Sequence, residues 1–472
     1  MKKHLLKKCT SLLIALSLLI VMVCPAYGQD NSIQVQLNGE NIPFDVAPQM
    51  VNNRVMVPMR TIFEKLGANV DWDGQTGTVT VTKDGTVIKL VLNSKNAVIT
   101  KNGVESTIQL DTAPILVNDR TLVPVRLISE SLGKQVGWDQ ANRTVVIIDY
   151  DYFINAFKTQ APNFYEYASN QYEEINTGEF NGSTDVSFKY DSSIDPSENV
   201  SGTINADVNA KLNKDNGSMD AVIKISGLEE VLKGSGLEDF DSISFNLLFD
   251  NNSFYVKSNL FALLEQNNIQ VGDKWIKADI ADFGIPDVET LQDLKKTQST
   301  QSIEQIREAL VNIPMELDVN SFKEAQTIFN ALVPLVDNNH FKVTSQRNMK
   351  VYTWNIKKQD LVDVVLNIQK GLGSSEHMSL EDLAEMKEFM DSLVFDFNME
   401  VGVKNNIIVS SKTSLNTQMD LPDAGHFELS LKTNSEVSKP NNAYFKITMP
   451  NPSEVIDFKD LNEGSEEPSA NY

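Results

Sequence analysis

The strongest constraint on this chain is that part of it is written twice. Shifted by 66 positions, Val51-Asn52-Asn53-Arg54-Val55-Met56-Val57-Pro58-Met59-Arg60 falls on Val117-Asn118-Asp119-Arg120-Thr121-Leu122-Val123-Pro124-Val125-Arg126. The match runs on without a gap through Leu66-Gly67 and Leu132-Gly133 to Val70-Asp71-Trp72-Asp73 and Val136-Gly137-Trp138-Asp139. It closes with Thr78-Val79-Thr80-Val81 against Thr144-Val145-Val146-Ile147. A fixed period of this kind marks one structural unit used twice.

Each copy has the same local reading. Asn52-Asn53 and Asn118-Asp119 are turn residues, and the β-branched run after them suits a strand. Pro58 and Pro124 end that strand and fit the first turn of a helix, where a missing N–H is harmless. Ile62, Phe63 and Leu66, like Leu127, Ile128 and Leu132, form apolar helical stripes, and Gly67 and Gly133 stand where a helix C-cap would be. Trp72-Asp73-Gly74 then opens a hairpin returning through Thr78–Thr82. Further strands are expected at Ile33–Leu37, Val87–Leu92, Ala97–Thr100 and Ser106–Leu110.

These residues carry a resemblance. The doubled pattern is similar to the copper amine oxidase N-terminal domain, or stalk domain, over residues 31–150. The resemblance implies an accessory stalk rather than a copper-bearing catalytic part, of a kind found in secreted and wall-associated proteins of Gram-positive bacteria. The repeat-motif residues that carry it are Arg54, Pro58, Arg60, Gly67, Trp72 and Asp73 in the first copy. Arg120, Pro124, Arg126, Gly133, Trp138 and Asp139 follow in the second. They are read as structural, with no catalytic or metal-binding residue among them. The quinone precursor Tyr of the oxidases needs an Asn-Tyr-acid context, and the one Asn-Tyr here is Asn471-Tyr472. Copper also needs clustered imidazoles, whereas His340, His377 and His426 lie far apart. No cofactor is expected, and no enzyme activity.

Two recurring features invite a binding role. Arg60 and Arg126 could hold an anion, but paired charges more often serve structure, and each is expected to brace its strand–helix corner against Asp73 or Asp139. Trp72 and Trp138 could stack on a sugar, but Trp is highly buried on average, and packing under the hairpin is expected. Asp71-Trp72-Asp73-Gly74 lacks the third acid of a calcium loop and reads as a turn.

The ends sharpen the setting. Four lysines in Met1–Lys8, an apolar run Ser11–Cys24, and small residues Ala26 and Gly28 read as a secretory signal peptide over residues 1–28. Cleavage would remove both cysteines, Cys9 and Cys24, and leave 37 basic against 64 acidic residues. So acidic a chain, with no basic block, is a poor binder of nucleic acid. Beyond the signal segment no transmembrane span is expected. The localisation expected is secreted, extracellular or cell-wall associated. Residues 461–472 read as a disordered acidic tail.

From 151 to 460 the pattern changes to a large curved antiparallel sheet packed with helices, so the chain as a whole reads as α+β. A connecting helix over Asp149–Glu174 is interrupted at Pro162. Alternating strands are expected at Ser183–Tyr190, Gly202–Leu212, Ser218–Ile225, Ser242–Phe249 and Ser253–Val256, and around Trp275. Others run at Lys342–Arg347, Lys350–Ile356, Leu393–Lys404, Ile407–Gln418 and Phe427–Ser435. Apolar stripes at Ile303–Ile313, Phe322–Leu332, Leu361–Ile368 and Leu380–Leu393 read as helices. The hairpins, Phe254-Tyr255-Val256-Lys257 and Gly272-Asp273-Lys274-Trp275-Ile276-Lys277 resemble the LolA/LppX-like lipoprotein-carrier superfamily. That resemblance implies a half-barrel over helices, often with an apolar cavity, and carries over no binding residue. The three His stand among polar neighbours and are expected at the surface.

The reading is therefore a secreted, non-catalytic cell-envelope protein whose stalk presents a β-rich domain, with cell-wall components as partners. The alternative is a carrier or sensor of a lipid or other apolar ligand.

Overall fold

The structure is a computed structural model that describes residues 32–101, 103–170, 172–266, 269–279, 318–372, 387–421 and 424–463. The expected signal segment with Cys9 and Cys24, the stripe Ile303–Ile313, the first half of the stripe Leu380–Leu393, His377 and most of the tail lie outside them. The described residues fall into two compact units that divide after Asp149, with residues 318–320 grouped with the first.

Unit 1 contains β1 (Gln34–Leu37), β2 (Glu40–Asn41), β3 (Gln49–Val51), β4 (Arg54–Pro58), α1 (Met59–Lys65), β5 (Asn69–Asp73) and β6 (Thr78–Lys83). It continues with β7 (Thr86–Val91), β8 (Asn96–Lys101), β9 (Val104–Gln109), β10 (Ile115–Val117), β11 (Arg120–Pro124), α2 (Val125–Ser131), β12 (Gln135–Asp139) and β13 (Thr144–Ile148). Three sheets result, in the orders β12-β13-β1-β2, β10-β11-β4-β3 and β5-β6-β7-β8-β9.

The repeat is visible in the turns and helix caps of this unit. The β3–β4 turn places Asn52 and Asn53 at φ 49° and 59°, and the β10–β11 turn places Asn118 and Asp119 at the same two values. Two consecutive left-handed residues make a type I′ hairpin, a role that Asn and Asp accept readily. Both helices end in the same cap. Gly67 (φ 75°) and Gly133 (φ 73°) allow Ala68 N–H to reach Phe63 O and Lys134 N–H to reach Ser129 O, each at 2.9 Å. These are the long bonds of a Schellman motif.

The two copies meet at β4 and β11, which are antiparallel neighbours. Val57 lies opposite Val123, Pro58 opposite Leu122 and Met56 opposite Pro124. Since Val57 and Val123 are repeat equivalents, the copies are related here by a local two-fold. Val57, Ile62, Phe63 and Val79 of the first copy and Val123, Val125 and Val145 of the second share one buried core. Neither copy closes alone.

Unit 2 is built on one twelve-stranded sheet. In spatial order its strands are Phe341–Gln346, Met349–Lys357, Val394–Lys404, Ile407–Leu421, Gly425–Ser438, Gly178–Ser192, Val200–Leu212, Asn216–Ser226, Ile243–Asp250, Ser253–Ser258, Trp275–Asp279 and Val455–Asp457. All neighbours are antiparallel except the last pair. The strand Val455–Asp457 was not legible in the sequence. The expected connecting helix occurs as Tyr150–Gln160 and Pro162–Ser169, broken where Pro162 cannot donate to the helix. Phe153 and Phe157 of the first of these pack on Phe329 of the helix Val319–Leu332, and Phe164 of the second packs on Phe341. That aromatic cluster continues into Tyr352, Val401 and Val403.

The duplication is imperfect in the core, most sharply at one position. Where the first copy has Phe63, fully buried, the second has Ser129, equally buried, and its Oγ has no hydrogen-bond partner. A buried unsatisfied hydroxyl costs about 1–3 kcal/mol. Ser129→Ala is therefore expected to raise the stability of unit 1 by about 1 kcal/mol, measured as a higher denaturant midpoint with an unchanged m-value.

Candidate functional site

The site begins with four charges that the duplication places. Arg54 lies at the start of β4. Its Nε donates to Asp111 Oδ2 at 2.7 Å and its Nη1 to Asn53 O at 3.1 Å. Arg120 does the same one repeat later, with Nε to Asp45 Oδ2 at 2.7 Å and Nη1 to Asp119 O at 3.2 Å. Asp45 and Asp111 are also repeat equivalents, so each copy supplies the carboxylate for the other copy's Arg. The Arg120 hydrogen bond holds the Asp45 carboxyl below its ordinary range. Sequence comparison could have found this pair, because Asp45-Val46-Ala47-Pro48 and Asp111-Thr112-Ala113-Pro114 extend the repeat toward the N-terminus.

Asp73 and Asp139 do not brace Arg60 and Arg126 as expected. Asp73 accepts from Gln75 N–H at 2.8 Å and from Thr76 Oγ1 at 2.7 Å. Asp139 accepts from the backbone and side chain of Asn142 at 2.9 and 2.8 Å. Asp73 is consumed in closing its own hairpin turn, and Asp139 closes its turn while also accepting from Val319 N–H at 3.2 Å. The Thr76 hydroxyl and the Gln75 N–H lower the pKa of Asp73. Partial burial works against ionisation of Asp139, yet the Asn142 hydrogen bonds hold its pKa below the usual value. Arg60 and Arg126 are left exposed, with no hydrogen-bond or ion-pair partner among the described residues.

The tryptophans also depart from expectation. Trp72 is 39 % exposed, because only Val70 of the outward-facing β5 reaches the core. Trp138 packs at the rim of the core and donates its indole N–H to Gln140 Oε1 at 2.8 Å. Pro58 and Pro124 are buried strand ends and, with Gly67 and Gly133, keep the structural roles read from the sequence.

A groove of about 340 Å³ lies in this unit, lined by Met50, Asn53 and Arg54 of the first copy and by Arg126, Trp138 and Gln140 of the second. It is composite, since the β3–β4 hairpin of one copy faces α2 and β12 of the other. Its chemistry is one free guanidinium, two amide side chains, a rim indole and a Met that is 45 % exposed.

The comparisons with known proteins meet the chain in this unit. Residues 36–147 match the copper amine oxidase N-terminal domain. The match covers the non-catalytic part of that family and about a quarter of this chain. No curated protein matches the sequence. Among solved structures, one titled for lipid–protein interactions in lipovitellin aligns at a TM-score of 0.20 and 8 % identity, covering 59 % of this chain. The alignment spans 27 % of the lipovitellin chain.

Unit 2 offers surfaces of another kind. Along its sheet, register brings Ile356, Phe397, Leu415, Leu431, Val186, Ile204 and Ile225 into one row across seven strands. One residue further along, the row is Asn355, Asn398, Ser414, Lys432, Asp185, Asn205 and Lys224, on the opposite face. Side chains alternate across a strand, so the apolar row and the polar row lie on opposite faces. Asn205 Nδ2 bridges to Asp185 at 2.6 Å and Asn209 Nδ2 to Asn181 at 2.7 Å on the polar face. A recess of about 740 Å³ at one end of the sheet holds Arg347, Lys350, Glu166 and Asn170, and Lys350 is ion-paired with Glu166 there. No helix among the described residues is long and apolar enough to cross a membrane. No group of three or more metal-ligating side chains is placed to hold an ion among them either.

His340 is not the surface residue expected. Its ring is half-buried between Asp337 Oδ1, 2.9 Å from Nδ1, and Asp360 Oδ1, 3.1 Å from Nε2. Burial opposes protonation, but the two carboxylates prevail and raise the imidazole pKa above its ordinary value. His426 sits between Asp420 and Glu428, at 2.6 and 3.4 Å. A histidine pKa raised by folding contributes stability in full below the unfolded value of about 6.5 and loses it as pH rises through the folded value. The stability difference between the native chain and His340→Gln is therefore expected to be larger at about pH 6 than at about pH 8.5, read from urea denaturation. A difference that grows with pH would refute the pairing.

Proposed function

We propose that this protein is a secreted, non-catalytic component of the cell envelope, in which unit 1 is a stalk that presents the β-rich unit 2 toward cell-wall components. The observation that carries this reading is the interlocked duplication over residues 36–147. It coincides with the accessory domain of a family whose catalytic part this chain does not match. The basic and apolar opening of the chain supplies the export signal in this reading. Fractionation of producing cells, with N-terminal sequencing of the recovered protein, tests it. The expected product lies outside the cytoplasm and begins near Gln29, while an uncleaved cytoplasmic product would sink the idea.

A second reading is favoured by the two-faced sheet. Its apolar row from Phe397 to Ile225 is half-buried throughout, which leaves apolar surface within reach of a ligand. Burying such surface yields roughly 25 cal/mol per Å². In this reading unit 2 carries or senses a lipid or other apolar molecule on that face, in a half-barrel closed by its helices. Full-length protein is then expected to bind cis-parinaric acid with a rise in its fluorescence. Leu431→Lys, which places a charge mid-row, should weaken that binding about tenfold or more. Equal binding by a surface control such as Asn416→Lys and by Leu431→Lys would separate non-specific uptake from a site on this face.

A further inference from the structure

The composite groove of unit 1 is a binding site that neither the stalk reading nor the sheet reading assigns. We propose that it holds an acidic saccharide, with Trp138 stacking on a sugar ring and Arg126 pairing with the carboxylate or phosphate that the sugar bears. The inference does not depend on what unit 2 carries.

Four observations converge on that chemistry. First, Arg126 is a cation with no partner among the described residues, in a chain with 64 acidic against 41 basic residues. Acceptors are plentiful in such a chain, yet Asp139, the acid expected to brace Arg126, is held by Asn142 and by Val319 N–H instead. A planar guanidinium left open suits bidentate contact with a carboxylate or phosphate. Second, Trp138 lines the same groove, and its N–H is anchored on Gln140. The anchored ring is amphipathic and rigid, and ring faces of this kind take up the C–H surface of a sugar. Third, Asn53 and Gln140 line the groove with amides, which donate to and accept from hydroxyls. Fourth, the acid burden is unevenly distributed. Residues 31–149 carry 11 basic and 12 acidic residues, against 26 and 51 from residue 150 onward. Unit 1 is the part of the chain that an anion can approach.

The repeat supplies an internal control. The local two-fold relates the groove residues to Leu116, Asp119, Arg120, Arg60 and Trp72. In that second place Asp119 stands for Asn53, Asp71 for Gly137 and Gly74 for Gln140. Two carboxylates enter, and the amide that anchors the indole is gone. The second place therefore repels an anion and leaves Trp72 without its anchor, so one acidic saccharide per chain is the expected stoichiometry.

The test is isothermal titration calorimetry on the full chain with tetragalacturonate, glucose 6-phosphate, cellotetraose and inorganic phosphate. At least one of the two acidic sugars should bind at one per chain and about tenfold or more tighter than neutral cellotetraose. Arg126→Ala and Trp138→Leu should each lose about tenfold or more, Arg126→Lys should retain part of the affinity, and Arg60→Ala and Trp72→Leu should bind as the native chain does. Arg126 is exposed, so its variants test the site even if Trp138→Leu is destabilised. The proposal is overturned if neither acidic sugar outbinds cellotetraose, if Arg126→Ala binds normally, or if inorganic phosphate binds as tightly as the sugars and indifferently to Trp138.

Discussion

Val57 and Val123 face each other in adjacent antiparallel strands, and each is the other's equivalent in the repeat. Everything distinctive in the first unit follows from that pairing. A strand that pairs with its own copy turns the two copies head to tail, so the hairpin of one is carried over the helix of the other. The charge pairs then become reciprocal, Arg54 with Asp111 and Arg120 with Asp45. These pairs are exposed and of the kind worth little on their own. Their value lies in register, because a slip of one residue at β4 against β11 would separate both pairs at once and turn the buried valines outward. The hydrophobic seam supplies the stability, and the charges specify one alignment of it.

The second unit has a corresponding seam of much longer range. Apart from the parallel edge strand Val455–Asp457, its sheet is two meanders, one running from Gly178 to Asp279 and one from Phe341 to Ser438. They are joined where Gly178–Ser192 pairs with Gly425–Ser438 over fourteen register partners, from Glu179 with Ser438 to Ser192 with Gly425. The strands that complete the middle of the sheet are nearly 250 residues apart in the chain. Each meander can form from local hairpins, but the continuous apolar row exists only after the seam closes. Long-range pairing of this kind is slow to find, and until it forms both meanders expose an unpaired edge. The Asn, Asp, Ser and Lys side chains of the polar face keep one surface of each meander solvated meanwhile.

Local structure was legible and its assembly was not. Strands such as Val200–Leu212 and Ile407–Leu421 announce themselves by period-two alternation between Asn- and Gly-rich turns, and the structure sets them within a few residues of the sequence reading. The Schellman caps at Gly67 and Gly133 were equally plain, since the glycine and the apolar stripe before it are local. What failed was inference from averages. Trp is mostly buried across proteins, yet Trp72 stands beyond the last core position of its strand. Isolated His is mostly exposed, yet His340 finds Asp337 three residues back and Asp360 on the following helix. The expected Arg60–Asp73 and Arg126–Asp139 pairs ignored a nearer competitor, because an Asp that opens a tight hairpin has backbone and hydroxyl donors two and three residues ahead. Those donors need no long side chain to be immobilised, so they win the carboxylate.

That competition also bears on how a duplicated unit acquires a function. Once turn donors hold Asp73 and Asp139, neither Arg60 nor Arg126 has a structural task, and both are free to vary in consequence while the fold stays intact. The copies then differ where the fold does not object, with Gln140 against Gly74, Asn53 against Asp119 and Ser129 against Phe63. The shared core and the reciprocal charge pairs tolerate these differences because they use other positions. The first two exchanges act on the surface, and both make the groove at Arg126 more hospitable to an anion than its equivalent at Arg60. The third acts in the core, and leaves an unsatisfied hydroxyl on the buried side of the helix that carries Arg126. The groove that carries Arg126 thus adjoins the less well satisfied side of the shared core. Such a division arises when one half of a symmetric unit can rely on the other for its packing.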